Sequence, residues 1–356
     1  MSAKYIPALD GFRAIAIAMV VLSHAGLQLM PGGLGVLIFF VISGFLLTRQ
    51  MIEEIESSGG FDIKQFYLRR LFRLMPTLFL YIAVMCAALI PLGANITLQH
   101  IASGLFYYAN YYQLFIGYPP HNPMPILWSL AVEEHYYILF PLVMLAFRKK
   151  LPTLMPWLFG IMIVVLLWRS YLALTCGRLD LAVCGLPNEN RLFGTDTICD
   201  CILFGAITAL MMRYAQNKVQ RAINPYAFFV ATIVLLITLC VRDETFRTTA
   251  RFTVQSICVA IIVLNVLYGN WIWPRDIIST KPFLFVGHIS YSLYLFHYGV
   301  LVVMNTLHHT NGDVLHGPRD IIIYLAASFG LATISHYLIE KPAINWRKRF
   351  GARAAY

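Results

Sequence analysis

Apolar residues run along this chain in blocks rather than in alternation. Stretches near 11–29, 34–50, 75–92, 126–147, 154–171, 198–214, 224–241, 252–269, 283–304 and 320–340 each approach the ~20 residues that a helix needs to cross a hydrocarbon core. In lipid every backbone amide must be satisfied within its own structure, which leaves helices or closed barrels. The alternating strands of a barrel are absent, so the pattern predicts an all-α, polytopic transmembrane bundle of about ten spans. One apolar stretch, 98–117, is rich in Tyr and runs into Gly117-Tyr118-Pro119-Pro120. It predicts an interfacial or partly re-entrant helix, because Tyr suits a membrane–water boundary.

Composition agrees. The chain is 59% hydrophobic and 12% charged, whereas a soluble domain carries about 25% charged residues. No room remains for a sizeable soluble domain. Residues 1–356 therefore read as a single transmembrane domain with a basic cytoplasmic tail over about 341–356. Residues 12–30 do not read as a cleaved signal peptide, since Lys4 is a thin n-region, no small-residue cleavage site follows and His24 interrupts the apolar run.

The net charge of +10 points to membrane topology rather than to nucleic acid. Nineteen of the 27 Lys and Arg fall in loops on the side of the N-terminus, and seven fall opposite. That bias predicts both termini in the cytoplasm. Counting 98–117 as a span would move Arg148, Lys149 and Lys150 outside and spoil it. No internal repeat is visible, which gives a repeat-built transporter no support. Seven cysteines, an odd number, form no disulfide framework. Cys86, Cys240 and Cys258 sit in apolar runs as packing residues. Cys176 and Cys184 share a loop expected on the oxidising side and are candidates to pair, with Cys199 and Cys201 as alternative partners.

Charge inside a span is costly in lipid and marks the bundle interior. Arg13 and His24 share the first span, roughly 16 Å apart along a helix. A lone helical histidine is ordinarily a packing residue. Here, however, the fourth span brings Glu133 and Glu134 to about the depth of His24, ~10 Å below the outer face. The ninth span delivers Ser290, Tyr291, Tyr294 and His297 towards the same layer. A purely structural ion-pair network is the plain alternative. On the cytoplasmic side, Phe66–Arg73 carries Arg69, Arg70 and Arg73 within two helical turns. Guanidinium groups bind phosphate in bidentate fashion, so the cluster suits a nucleotide diphosphate. Topogenic charge flanking a span would look the same.

These residues also carry a resemblance. Leu9-Asp10-Gly11-Phe12-Arg13 with His24, the segment Gly35–Leu46, Arg70-x-x-Arg73, Trp128–Tyr137, Ile289–His297 and Ile339-Glu340-Lys341-Pro342 are similar, in order, to the motifs of the acyltransferase-3 family. The resemblance spans nearly the whole chain. It implies O-acyl transfer, commonly of acetyl from acetyl-CoA, to an envelope polysaccharide, lipid-linked sugar or related glycoside in a bacterial cytoplasmic (inner) membrane. Ala131 stands where the family often has a second serine and receives no catalytic role. Ile198 stands where a similar family segment has Arg, while Asp196 and Asp200 stay candidates for lining an acceptor site. Some relatives carry an extra esterase-like domain. This chain ends sixteen residues beyond Glu340, so a stand-alone membrane domain is expected.

Together these readings predict a donor site on Arg13, Arg69, Arg70 and Arg73, with His24 as general base or acyl carrier. Glu133 would orient the imidazole, with Glu134 in reserve. Asp10, Ser129, Asp196, Asp200, Tyr291, Tyr294 and His297 are the candidate substrate-binding residues. The donor is expected to be acyl-CoA on the cytosolic side, with no metal and no nucleic acid; a second copy of the chain, in a homo-oligomer, is a candidate partner. The competing class is a proton-coupled transporter or flippase of a glycan or small molecule, whose buried His and Glu would relay protons.

Overall fold

The computed structural model describes residues 5–27, 29–175, 193–308, 315 and 317–346. Cys176 and Cys184 lie outside the described residues. Every described element is helical: α1 (Pro7–His24), α2 (Gly32–Ser58), α3 (Ile63–Leu89), α4 (Leu98–Leu105), α5 (Ala109–Phe115), α6 (Trp128–Ala146) and α7 (Leu154–Thr175) come first. Then follow α8 (Thr195–Ile198), α9 (Asp200–Tyr214), α10 (Gln216–Ala222), α11 (Pro225–Cys240), α12 (Glu244–Thr248) and α13 (Ala250–Tyr268). The last are α14 (Ile272–Ile278), α15 (Lys281–Leu307), α16 (Pro318–Ser335), a π-helical turn at His336–Glu340, and α17 (Lys341–Trp346).

Each of the ten expected spans has its helix, but not all are membrane-length and apolar. Seven qualify among the described residues, and α10 with α11, bent by 67° at their junction, makes an eighth if counted as one span. The exceptions have physical reasons. Glu133, Glu134 and His135 interrupt the apolar character of α6. Helix α9 has only 15 residues, and its stretch from Asp200 to Leu210 is buried throughout, so it meets protein rather than lipid. The expected interfacial segment is two short helices, α4 and α5, broken at Tyr107, which has φ +56°. Neither could cross a bilayer.

Helix limits also move. α1 stops at His24 rather than running to 29, and Gly26 at φ +85° follows it. The helix α3 starts at Ile63, so the two helical turns carrying Arg69, Arg70 and Arg73 are continuous with the third span rather than preceding it. Asp62 caps that helix, its carboxylate accepting from the Gln65 amide at 3.0 Å.

Lipid offers no hydrophobic drive between helices, so close backbone approach matters more than in water. Helices α2 and α9 touch through Gly44 and Gly205: a Cβ at Gly44 would strike the Ile202 carbonyl, and one at Gly205 the Val41 carbonyl. Gly35 brings α2 against the Ala16 carbonyl of α1, and Gly287 brings α15 against the Asp10 carbonyl. The result is two buried cores. One centres on α2, α6, α9 and α13, the other on α1, α3 and α15.

Arg169 is a correction to the charge reading, which treated it as a loop residue. It lies inside α7, is 1% exposed, and grips Asp200 through two bonds of 2.9 and 3.1 Å. It also donates to the carbonyls of Thr197 (2.6 Å) and Thr249 (2.9 Å) and to the Thr253 hydroxyl (2.6 Å). Removing it from the loop count strengthens the charge bias.

Candidate active site

A half-open cavity, with about 660 Å³ of empty space counted out into solvent, lies where the two cores meet. Helix α3 supplies Arg70 and Arg73, and α1 supplies Arg13. At ~100° per residue, positions three apart share a helix face and adjacent ones do not. Arg70 and Arg73 therefore line the cavity together, whereas Arg69 turns away and pairs with Glu54 at 3.0 Å. Arg69 drops out of the expected donor cluster. Arg13 is steadied by Asp10 at 3.1 Å, and Asp10 also accepts from Tyr5 at 2.7 Å. Asp10 is thus a buried support for Arg13 and does not line the cavity.

The same rotation separates the two glutamates. Glu133 lines the cavity. Its two oxygens accept one hydroxyl each, from Ser43 at 3.1 Å and Tyr137 at 3.1 Å. Glu134 does not line it, and its buried Oε1 has no hydrogen-bond partner among the described residues. Arg70 stands 4.9 Å above the Tyr137 ring, a cation–π contact that links the cationic and acidic halves.

Helix α15 forms the remaining wall with Ser290, Tyr291 and Tyr294. Tyr294 donates its single proton to the Ile126 carbonyl at 3.0 Å, so Ser129 donates to Tyr294 across 2.6 Å. One turn on from Tyr294 lies His297, wholly buried, with ring centroids 5.7 Å apart. His297 Nε2 meets His24 Nδ1 at 3.2 Å.

The hydrogen-bond partners fix the tautomers. His297 Nδ1 lies 3.0 Å from the Leu293 carbonyl, which can only accept, so that nitrogen carries the proton. In the neutral ring Nε2 is then an acceptor. His24 Nδ1, near both this acceptor and the Val20 carbonyl at 3.1 Å, carries its own proton. The proton-accepting nitrogen of His24 is consequently Nε2.

The expected contact between Glu133 and His24 is replaced: Glu133 bonds Ser43 and Tyr137, and His24 meets His297. Asp196 accepts from Trp168 Nε1 at 2.7 Å and Tyr111 at 3.1 Å, away from the cavity. Asp200 is 0% exposed and bound to Arg169, which makes it a structural ion rather than a lining group. Ser43 and Tyr137 were not singled out from sequence, although both lie in quoted motifs. Their hydroxyls gain meaning only from the carboxylate they face. The described residues hold no group of three or more His, Cys, Asp or Glu able to bind a metal.

The chain matches the acyltransferase domain family over residues 6–337, and it belongs to that family. Among curated proteins it is 30% identical to the putative O-acetyltransferase SACOL0978 of Staphylococcus aureus strain COL, over 98% of this chain and 60% of the relative. It is 29% identical to the O-acetyltransferase OatA of Staphylococcus aureus strain NCTC 8325 / PS 47, over 96% of this chain and 57% of that protein. The chain thus spans less than two thirds of the length of these relatives. No solved structure matches it.

Proposed function

We propose that this multi-pass membrane protein is an O-acetyltransferase that moves an acetyl group from cytosolic acetyl-CoA to a hydroxyl of a cell-surface polysaccharide, lipid-linked sugar or related glycoside. One observation carries the reading: a cavity lined by three arginines at one end adjoins, through Tyr294, a histidine pair whose tautomers leave His24 Nε2 able to take a proton. Arg70 and Arg73 suit the donor's phosphates, and Arg13 lies on the same cavity wall. The charge bias supports donor access from the cytoplasm with both termini on that side, in a bacterial inner membrane.

In the direct route His24 Nε2 takes the proton of the acceptor hydroxyl as its oxygen attacks the thioester carbonyl. The C–O bond forms, the C–S bond breaks, and the CoA thiolate leaves and recovers the proton from His24. His297 holds the ring of His24 in the required tautomer. Glu133, fixed by Ser43 and Tyr137, offsets the charge of the arginines and keeps the channel polar.

Purified protein given acetyl-CoA and candidate glycans tests the reading through release of free CoA with acetylated product. A transporter using the same buried carboxylate would leave the thioester intact. Transport without thioester consumption would therefore overturn the assignment.

A further inference from the structure

A second cavity, half-open and with about 1220 Å³ of empty space counted out into solvent, adjoins the first along α2 and α6. It is lined from the starts of α2, α6 and α13, and Val36 and Phe40 form a wall common to both cavities. On α6, Trp128 faces the second cavity and its neighbour Ser129 the first. The two spaces are therefore stacked along α2, with the Trp128–Ser129 step between them.

The chemistry of the second cavity is distinctive. One side is aromatic: Trp128 packs on Phe193 at 4.7 Å between ring centroids, and Phe40 meets Trp128 edge-on at 6.3 Å. The other side brings together Arg242, Arg247 and Arg251, against Glu244 as the single acid in its lining. Arg251 is half-buried over the Phe252 ring at 5.1 Å, which limits its freedom to swing into water. An aromatic face such as that of Trp128 suits the apolar C–H face of a sugar ring. A cleft lined by like charges focuses field and favours an anion, and guanidinium groups hold carboxylate or phosphate in bidentate fashion.

We infer that this cavity is the acceptor site and that it takes a glycan bearing an anionic group, a carboxylate or phosphate, on the acylated sugar or its neighbour. The inference rests on the acyltransferase reading above. The aromatic wall positions the sugar ring beside Trp128, and the arginines hold its charge on the side away from the donor cavity. The hydroxyl to be acylated then faces the shared wall at Phe40.

The test uses the full chain in phosphatidylcholine nanodiscs and reads binding by saturation-transfer NMR, with glucose, glucuronic acid and glucose 1-phosphate as probes. Both charged sugars are expected to bind about tenfold or more tightly than glucose. Arg247→Gln should remove most of that preference while leaving glucose binding unchanged, and Trp128→Leu should weaken all three. Arg242→Gln, at an exposed position, repeats the charge test without touching the core. The acetyl-CoA requirement should stay constant in both arginine variants, since neither residue lines the donor cavity. Equal binding of the three sugars, or charged-sugar binding that survives both arginine changes, overturns the site. Binding is read without turnover, so the two readings fail separately. Charge-selective binding by a protein that never releases CoA would remove the acyl-transfer reading, and the acceptor role with it, while the anionic-sugar site itself stands.

Discussion

His297 presents its Nε2 to Nδ1 of His24 at 3.2 Å, although the two residues stand 273 positions apart in sequence. The pair makes His24 a histidine of known tautomer rather than a lone imidazole at a helix end. General acid–base catalysis contributes about 10²- to 10⁴-fold. His24→Ala should abolish acetyl transfer with the protein still folded and monodisperse. His297→Ala should lower kcat by roughly tenfold to a hundredfold while both KM values stay near those of the parent, because it acts through His24. Near-normal turnover in His24→Ala would remove that residue from the chemistry.

The donor cluster should divide by helix face. Losing a charged hydrogen bond costs about 1.5–3 kcal/mol, or roughly tenfold to a hundredfold in affinity. Arg70→Ala and Arg73→Ala should raise the KM for acetyl-CoA by that factor and leave the acceptor requirement little changed. Arg69→Ala, which breaks only the contact to Glu54, should leave the donor requirement near that of the parent. Equal effects at all three positions would return the cluster to a topological role.

Tyr137 has two separable duties. Its hydroxyl bonds Glu133, and its ring lies under Arg70. Tyr137→Phe should reduce kcat by freeing one Glu133 oxygen while keeping the ring. Tyr137→Leu should in addition raise the KM for acetyl-CoA, since cation–π contacts contribute about 0.5–2 kcal/mol. Steady-state kinetics on the two variants checks this; identical donor KM values would exclude a role for the ring.

Arg169 and Asp200 should matter to folding rather than to acceptor choice. Removing one partner of a buried ion pair costs about 3–5 kcal/mol. Arg169→Ala or Asp200→Ala should therefore lower the unfolding midpoint sharply, and the double replacement by apolar residues should cost less than the single changes. Thermal and denaturant unfolding in one detergent measure both. A stable Asp200→Asn protein that had lost only its use of acceptor would restore Asp200 to the site.

Much of this molecule was legible in one dimension. Hydropathy accumulates along a segment regardless of its neighbours, so the all-helical, multi-pass bundle could be read directly. Charge is expensive in lipid, so Arg13 and Glu133 stood out as interior groups, while Arg70 and Arg73 stood out as part of a cytoplasmic guanidinium cluster; all four line one cavity. The reading went astray where hydropathy and interior packing part company. Helix α9 is short because it is walled in by protein, and Arg169 is buried because Asp200 awaits it on another helix.

What only the tertiary structure decided is the direction each side chain takes. Glu133 and Glu134, or Arg69 and Arg70, differ by one position and about 100° of rotation, and sequence alone ranks neither above its neighbour. Rotation is set by where helices can approach, and here Gly44, Gly205, Gly35 and Gly287 determine that by letting backbone meet backbone. Those contacts orient α2, and with it Ser43, the hydroxyl that meets Glu133. They also close the 273-residue separation between His24 and His297. Apolar content is a property of each segment by itself. A hydrogen-bond partner belongs to two segments at once, and becomes defined only when they pack.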